Sequence, residues 1–299
     1  MDLLSGPNAG RRRLRELLAA DDLVVAPGAF DAFSARLVEL AGFDAVYMTG
    51  FGTAASRLGR PDIGLLGMSE MAGQAASIVA ATSIPVIADA DTGYGNPLNV
   101  IHTVRTYEAA GVAAFHLEDQ VHPKRCGHMD GKEVVPTAEM VAKVEAAVAA
   151  RTDPDLTIIA RTDARAPEGF DAALDRMRAY IGAGADVAFV EAPQSLDEIE
   201  RIAAELSPTP LLFNWVEKAK SPPVSIDQLR ELGFALVILP ITTLLAATRA
   251  MTDTLATVAR HGTSEPVLDE LASFDEFTDL IGLGETRELA RRFGTEPGG

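Results

Sequence analysis

The chain has one cysteine and one tryptophan in 299 residues, and only 6% of its residues are aromatic. A single thiol excludes an intramolecular disulfide, so the expected compartment is a reducing cytoplasm. Positive charge is scarce as well: 26 Lys and Arg stand against 43 Asp and Glu, a formal net charge of -17. Such an excess repels phosphate backbones and anionic lipid, which argues against nucleic-acid or membrane partners and still allows a local cationic pocket for a small anion. Long apolar runs are also missing. The uncharged stretch from Phe234 to Thr248 is short for a membrane span and contains Pro240 and several threonines. Arg11-Arg12-Arg13 leads into the amphipathic Leu14-Arg15-Glu16-Leu17-Leu18 rather than the apolar core of a signal peptide. What remains is 47% hydrophobic and 23% charged, the make-up of a globular protein able to bury one large core or two modest ones.

Short runs rich in Val, Ile and Leu recur with helix-like segments between them. The spacing predicts strands at Leu23 to Ala26, Ala45 to Thr49, Pro85 to Ala90, Ala114 to Glu118, Thr157 to Thr162, Val187 to Glu191, Leu211 to Trp215 and Leu236 to Leu239. Met68 to Ala81 and Thr137 to Ala150, rich in alanine and other helix formers, read as helices. Repeated βα units of this kind fit an α/β fold, a (β/α)₈ TIM barrel over residues 20 to 250, with an open doubly wound sheet as the alternative. Thr243 to Arg260 reads as a further helix, and residues 251 to 299 as a C-terminal helical extension and tail of one domain.

Lys124-Arg125-Cys126-Gly127-His128 places the only thiol among cationic and imidazole side chains in a glycine-containing loop, where thiolate is favoured. A structural cysteine more often lies in an apolar run. Upstream, Ile87-Ala88-Asp89-Ala90-Asp91 runs an apolar strand into two aspartates, hard oxygen ligands suited to Mg²⁺, with Glu118 as a third acid. Alone, Asp-x-Asp is an acidic turn. The barrel reading, however, sends Tyr47, Asp89, Asp91, Glu118, Arg161, Asp163, Glu191 and Asn214 from successive strand ends into one mouth. Thr49-Gly50-Phe51-Gly52 follows the second strand and is better suited to bringing amides to a carboxylate than to cradling a dinucleotide. The histidines at 102, 116, 122 and 261 are assigned structural or surface roles.

Five motifs occur in order: Pro27-Gly28-Ala29-Phe30-Asp31-Ala32, Tyr47-Met48-Thr49-Gly50, Asp89-Ala90-Asp91-Thr92-Gly93-Tyr94-Gly95, Glu118-Asp119-Gln120 and Lys124-Arg125-Cys126-Gly127-His128. Together they resemble the isocitrate lyase and phosphoenolpyruvate mutase superfamily, and the cysteine loop resembles its lyase branch, typified by 2-methylisocitrate and 2,3-dimethylmalate lyases. The resemblance implies a TIM barrel with a C-terminal helix swapped between subunits, a homotetramer, and Mg²⁺, or Mn²⁺ in its place, at the barrel mouth. It implies that Asp62, Asp89, Asp91 and Glu118 surround the metal directly or through water, and that Thr49, Gly50 and Phe51 cradle a substrate carboxylate. Asp89, Gly127, His128, Arg161 and Asn214 would complete the substrate contacts.

The implied reaction is cleavage of a carbon-carbon bond in a 2-hydroxy di- or tricarboxylate, giving an α-keto acid such as pyruvate and a carboxylic acid. Tyr47 would move the hydroxyl proton, Arg161 and Glu191 would orient the substrate, and Cys126 would protonate the carbanionic carbon. Leu245 and Val216 depart from the arginine and threonine expected of methylisocitrate lyases. Both changes point to a smaller dicarboxylate, because an unpaired third carboxylate is costly to desolvate. Oxaloacetate hydrolysis, phosphonate chemistry, and a metabolite-binding or assembly role without catalysis are the alternatives.

Overall fold

The structure, a computed structural model, describes residues 10–20, 22–127, 131–218 and 221–295. Helix α1 (Gly10–Ala19) is followed by β1 (Val24–Ala29), α2 (Ala32–Leu40), β2 (Val46–Met48), α3 (Gly50–Leu58), α4 (Met68–Ala81), β3 (Val86–Asp89), α5 (Pro97–Ala110), β4 (Ala114–Glu118) and α6 (Thr137–Ala150). Then come β5 (Thr157–Thr162), α7 (Phe170–Gly182), β6 (Val187–Val190), α8 (Leu196–Leu206), β7 (Leu212–Asn214), α9 (Ile226–Glu231), β8 (Leu236–Leu239) and α10 (Thr242–His261). A 3-10 turn (Glu265–Glu270), α11 (Phe274–Leu280) and α12 (Leu283–Arg292) complete the chain.

All strands pair in parallel in the order β6-β5-β4-β3-β2-β1-β8-β7. The ends of this row meet through a parallel bridge between Ala188 and Leu211, with Ala188 N donating to Pro210 O at 2.9 Å. The row is therefore a nearly closed barrel, and the open doubly wound alternative is ruled out. Each predicted strand forms, with ends shifted by a few residues; the helices predicted at Met68 to Ala81 and Thr137 to Ala150 have the expected bounds, and that at Thr243 to Arg260 is one residue longer at each end.

Period-two alternation divides the strands between two cores. Val24, Ala26, Ala45, Ile87, Ala114, Ile159, Val187, Leu212, Leu236 and Ile238 form the barrel interior. Their neighbours Val46, Met48, Val86, Ala88, Phe115, Leu117, Ile158, Ala160 and Val237 pack outward with the surrounding helices. Leu14 of α1 is fully buried in the interior cluster, so this helix plugs the barrel. The arginines of this helix have a matching structural use: Arg11 pairs with Asp153 at 2.9 Å, Arg13 with Asp44 at 2.6 Å and Arg15 with Asp186 at 2.9 Å.

The chain divides into two compact units, with the change at Leu245, inside α10 and earlier than the residue-250 boundary expected from the sequence. Among the described residues, the C-terminal unit buries no side chain in α10, α11 or α12. No helix of the described residues is long and apolar enough to cross a membrane.

Candidate active site

The inward set of alternating residues turns polar at the carboxyl ends of the strands. On β4, Ala114, His116 and Glu118 share the inner face; on β5, Ile159 and Arg161 do so, followed by Asp163. On β6, Val187 and Phe189 precede Glu191, and on β7 Leu212 precedes Asn214. The strand-end residues expected from the sequence are thus brought to one mouth. A cavity of about 230 Å³ opens there, lined by Tyr47, Thr49, Asp62, Asp89, Glu118 and Arg161 on its polar side. Cys126 and Gly127 enter from the loop after β4, Asn214 from β7, and Phe51, Val216, Pro240 and Ile241 add an apolar flank.

Three of the expected site residues lie beneath this surface. Gly50 backs onto Asp89, close enough that a Cβ would strike the Asp89 carboxylate. Asp91 turns toward Lys124, whose Nζ lies 2.7 Å from Asp91 Oδ1 and donates to Asp62 Oδ2 at 2.6 Å. Glu191 supports Asn214, whose Nδ2 is 3.3 Å from both carboxylate oxygens. His128 lies outside the described residues.

Thr49 caps α3, its Oγ1 accepting from Gly52 N at 3.2 Å, and Thr53 N makes the helix's first bond to Thr49 O at 2.9 Å. The first-turn amides of Gly50 and Phe51 therefore have no intrahelical acceptor, and a helix N-terminus of this kind suits an anion. The glycine pattern after β2 thus opens a helix rather than a dinucleotide turn. Two non-glycine residues next to the site acids adopt left-handed backbone, Asp91 at φ 47° and Ala192 at φ 53°. Each costs about 1–3 kcal/mol, held in place by the surrounding packing.

Aromatic rings floor the cavity. Tyr47 Oη lies 2.8 Å from His116 Nε2, their rings stack at 5.9 Å, and His116 meets the edge of Phe189 at 5.8 Å. Burial lowers His116 to about 4, leaving a neutral imidazole, and burial together with Asp89 raises Tyr47 well above the usual phenol range. The sequence gives His116 a structural or surface role; in the structure it is buried as the hydrogen-bond partner of Tyr47. The signal was available, since alternation from Glu118 puts His116 on the same inner face.

Arg161 lies over the Phe189 ring at 5.1 Å. Its Nε and Nη2 grip Asp163 at 2.9 and 3.1 Å, with Glu118 at 3.4 Å and Glu191 at 3.7 Å. Lys124, expected to tune the thiol from the loop, is instead buried among acids. Burial opposes its charge, but Asp91, Asp89 and Asp62 outweigh that and raise its pKa well above the usual value. The loop's backbone is held by Gln120, whose Nε2 donates to Arg125 O at 2.8 Å and whose Oε1 accepts from Arg125 N at 2.9 Å.

Around the cavity, among the described residues, the buried carboxyls of Asp62, Asp89, Asp91, Glu118, Asp163 and Glu191 lie with the buried cations Lys124, Lys132 and Arg161. Six acids against three cations leave an excess of negative charge. Burial accordingly raises Glu118 well above the carboxylate range and Asp91 to about 6. Glu118 Oε1 is buried without a hydrogen-bond partner. Carboxylates in this condition fit a hard divalent cation. Among the described residues no three Asp, Glu, His or Cys side chains are grouped to hold a metal by themselves. A cation that takes few protein ligands and completes its shell with water and substrate is the type that matches.

The phosphoenolpyruvate phosphomutase family model matches residues 14–259. The chain is 49% identical to 2,3-dimethylmalate lyase of Eubacterium barkeri over 283 residues, 95% of this chain and 98% of the other. It is 45% identical to 2-methylisocitrate lyase of Aeropyrum pernix over 269 residues, 90% of this chain and 86% of the other. Among solved structures, oxaloacetate acetylhydrolase in complex with 3,3-difluorooxalacetate superposes with a TM-score of 0.93 at 38% identity, covering 98% of this chain and 100% of that one. Phosphonopyruvate hydrolase in complex with oxalate and Mg²⁺ superposes at 0.87 and 33% identity, covering 95% and 99%. With its barrel, its mouth of acids and a family match over most of its length, this chain is an enzyme of the phosphoenolpyruvate mutase/isocitrate lyase superfamily.

Proposed function

We propose that the protein is a divalent-metal-dependent lyase that cleaves the C2–C3 bond of an alkyl-substituted malate, releasing an α-keto acid such as pyruvate and a monocarboxylic acid. One observation carries the reading: a single cavity joins the Cys126 loop, Tyr47 and Arg161 to the acids Asp89 and Glu118, against an apolar flank that includes Val216 and Ile241. The flank suits alkyl groups and offers nothing to a third carboxylate. Leu245, the other departure from the methylisocitrate pattern, belongs to the C-terminal unit.

Asp89, Asp91 and Glu118, with Asp62 beside them, would hold Mg²⁺ or Mn²⁺ directly or through water. When bound, the ion supplies a Lewis acid that makes the substrate hydroxyl more acidic and offsets the carboxylate charge. The amides of Gly50 and Phe51 receive one substrate carboxylate. Tyr47, kept as a phenol by burial and held by its 2.8 Å contact with the neutral His116 Nε2, passes the hydroxyl proton on by accepting it while releasing its own toward a carboxylate of the cavity. As the bond breaks, its electron pair moves onto the departing carboxylate fragment, and Arg161 offsets the growing charge. Cys126 then delivers a proton to the new carbanionic carbon. Asp89→Ala and Asp91→Ala are each expected to lose Mg²⁺ binding in calorimetry; binding equal to the parent would remove those residues from the ligand set.

Hydrolysis of oxaloacetate is the second reading, supported by the likeness to oxaloacetate acetylhydrolase. A product assay with Mg²⁺ on 2,3-dimethylmalate, other alkylmalates, 2-methylisocitrate, oxaloacetate and phosphonopyruvate separates the two. Keto acid from an alkylmalate supports the lyase; oxalate or a phosphorus product overturns it.

The proposed assembly state is supported by the C-terminal unit, which leaves Met251 57%, Leu255 64%, Leu268 56% and Phe274 79% exposed. Apolar surface on this scale suits burial against other copies of the chain. A homotetramer with exchanged C-terminal helices is the proposed state, and light scattering that finds a monomer would refute it.

A further inference from the structure

We propose that Lys132 is a positioning residue that locks the thiol-bearing loop to the guanidinium beneath it, using Asp163 as the shared anchor. The proposal rests on the reading of Cys126 as proton donor. Lys132 is almost wholly buried, and its Nζ donates to Asp163 Oδ1 at 2.8 Å and to the carbonyl of Gly127. Gly127 follows Cys126 directly and lies so close over Arg161 and Glu191 that a Cβ there would strike both side chains. The loop is therefore pinned from two sides, by contact with Arg161 below and by Lys132.

Asp163 does not need this second cation to satisfy its charge, because Arg161 already grips both its oxygens. It is also fixed from behind: its own N donates at 2.8 Å to Asp119 Oδ1, while Asp119 Oδ2 accepts from Thr162 Oγ1 at 2.7 Å and Tyr180 Oη at 2.8 Å. A lysine buried only for stability would be costly to desolvate at a carboxylate so well paired. What its ammonium adds is the bond to Gly127, and through it a fixed spacing between the proton donor and the cation that steadies the departing charge. The sequence gives no sign of this, since Lys132 and Asp163 are 31 residues apart.

Cys126 is the only cysteine, so alkylation of the protein by iodoacetamide reports this thiol alone. The test uses full-length Lys132→Met, Lys132→Gln and Lys132→Arg with Mg²⁺ and without substrate, and reads the high-pH plateau of the alkylation rate, where changes in thiol acidity no longer contribute. Lys132→Met and Lys132→Gln should alkylate about tenfold faster than the parent, the scale expected for losing a charge-assisted hydrogen bond. Lys132→Arg should fall between these variants and the parent. With the substrate found above, the same variants should lower kcat about tenfold or more and leave KM nearly unchanged, because the carboxylate contacts remain. A parent-like alkylation plateau in both Lys132→Met and Lys132→Gln would overturn the proposal, whatever the thermal stability of those variants. Since that readout uses no substrate, it fails or holds independently of the lyase reading.

Discussion

Cys126→Ala is expected to lose turnover by about 10²–10⁴-fold, the usual contribution of a positioned acid. The side chain is half-buried at the cavity and belongs to neither hydrophobic core, so its removal should leave folding and Mg²⁺ binding nearly intact. Cys126→Ser tightens the test, since a hydroxyl keeps the shape and is a far weaker acid than a thiol. Kinetics, calorimetry and thermal melting on the three proteins are sufficient. Parent-level turnover in Cys126→Ala would remove the acid role.

Arg161→Ala is expected to be the most damaging single change. It strips a guanidinium from Asp163, Glu118 and Glu191 at once, all buried. Breaking a buried pair from one side costs about 3–5 kcal/mol of stability. Loss of the charge that steadies the departing carboxylate should remove about 10²–10³ in kcat. Arg161→Lys separates these effects: a compact ammonium should recover much of the stability but little of the activity, because it cannot hold Asp163 through two bonds as the guanidinium does. The expected results are a large fall in melting temperature for Arg161→Ala, a small one for Arg161→Lys, and poor kcat/KM for both. Good turnover in Arg161→Lys would mean that charge alone, without the fork geometry, is enough.

Much of the barrel was legible because its signals are local. Strands buried on both sides read as runs of Val, Ile and Leu, and helices such as Met68–Ala81 carry strong propensity. The acids at strand ends were legible for the same reason, because the barrel's geometry fixes which end holds chemistry. Other parts of the site were not. Lys124 read as a loop cation tuning the thiol, since nothing in its neighbourhood indicates that Asp62, 62 residues away, pairs with it. Lys132 and Gln120 depend on the path of a loop, which hydrophobic periodicity does not describe. His116 was missed although its signal was local: its position two residues before Glu118 puts both on one face, but a lone histidine in an apolar strand reads most simply as packing. Helix α3 was read as a glycine cradle because its first turn is made of Gly50, Phe51 and Gly52, poor helix formers at exactly the place where open amides are needed.

The central claim is that this cavity breaks a carbon-carbon bond and that Cys126 supplies the proton. The most direct test is mass spectrometry of the products formed from 2,3-dimethylmalate with Mg²⁺ in D₂O, parent beside Cys126→Ala. The account predicts pyruvate and propionate in equal amounts from the parent, with a single deuterium on the propionate α-carbon, and almost none of either from the variant. Equal yields from both proteins would contradict the role of Cys126. Oxalate from oxaloacetate, with no keto acid from any alkylmalate, would contradict the lyase itself.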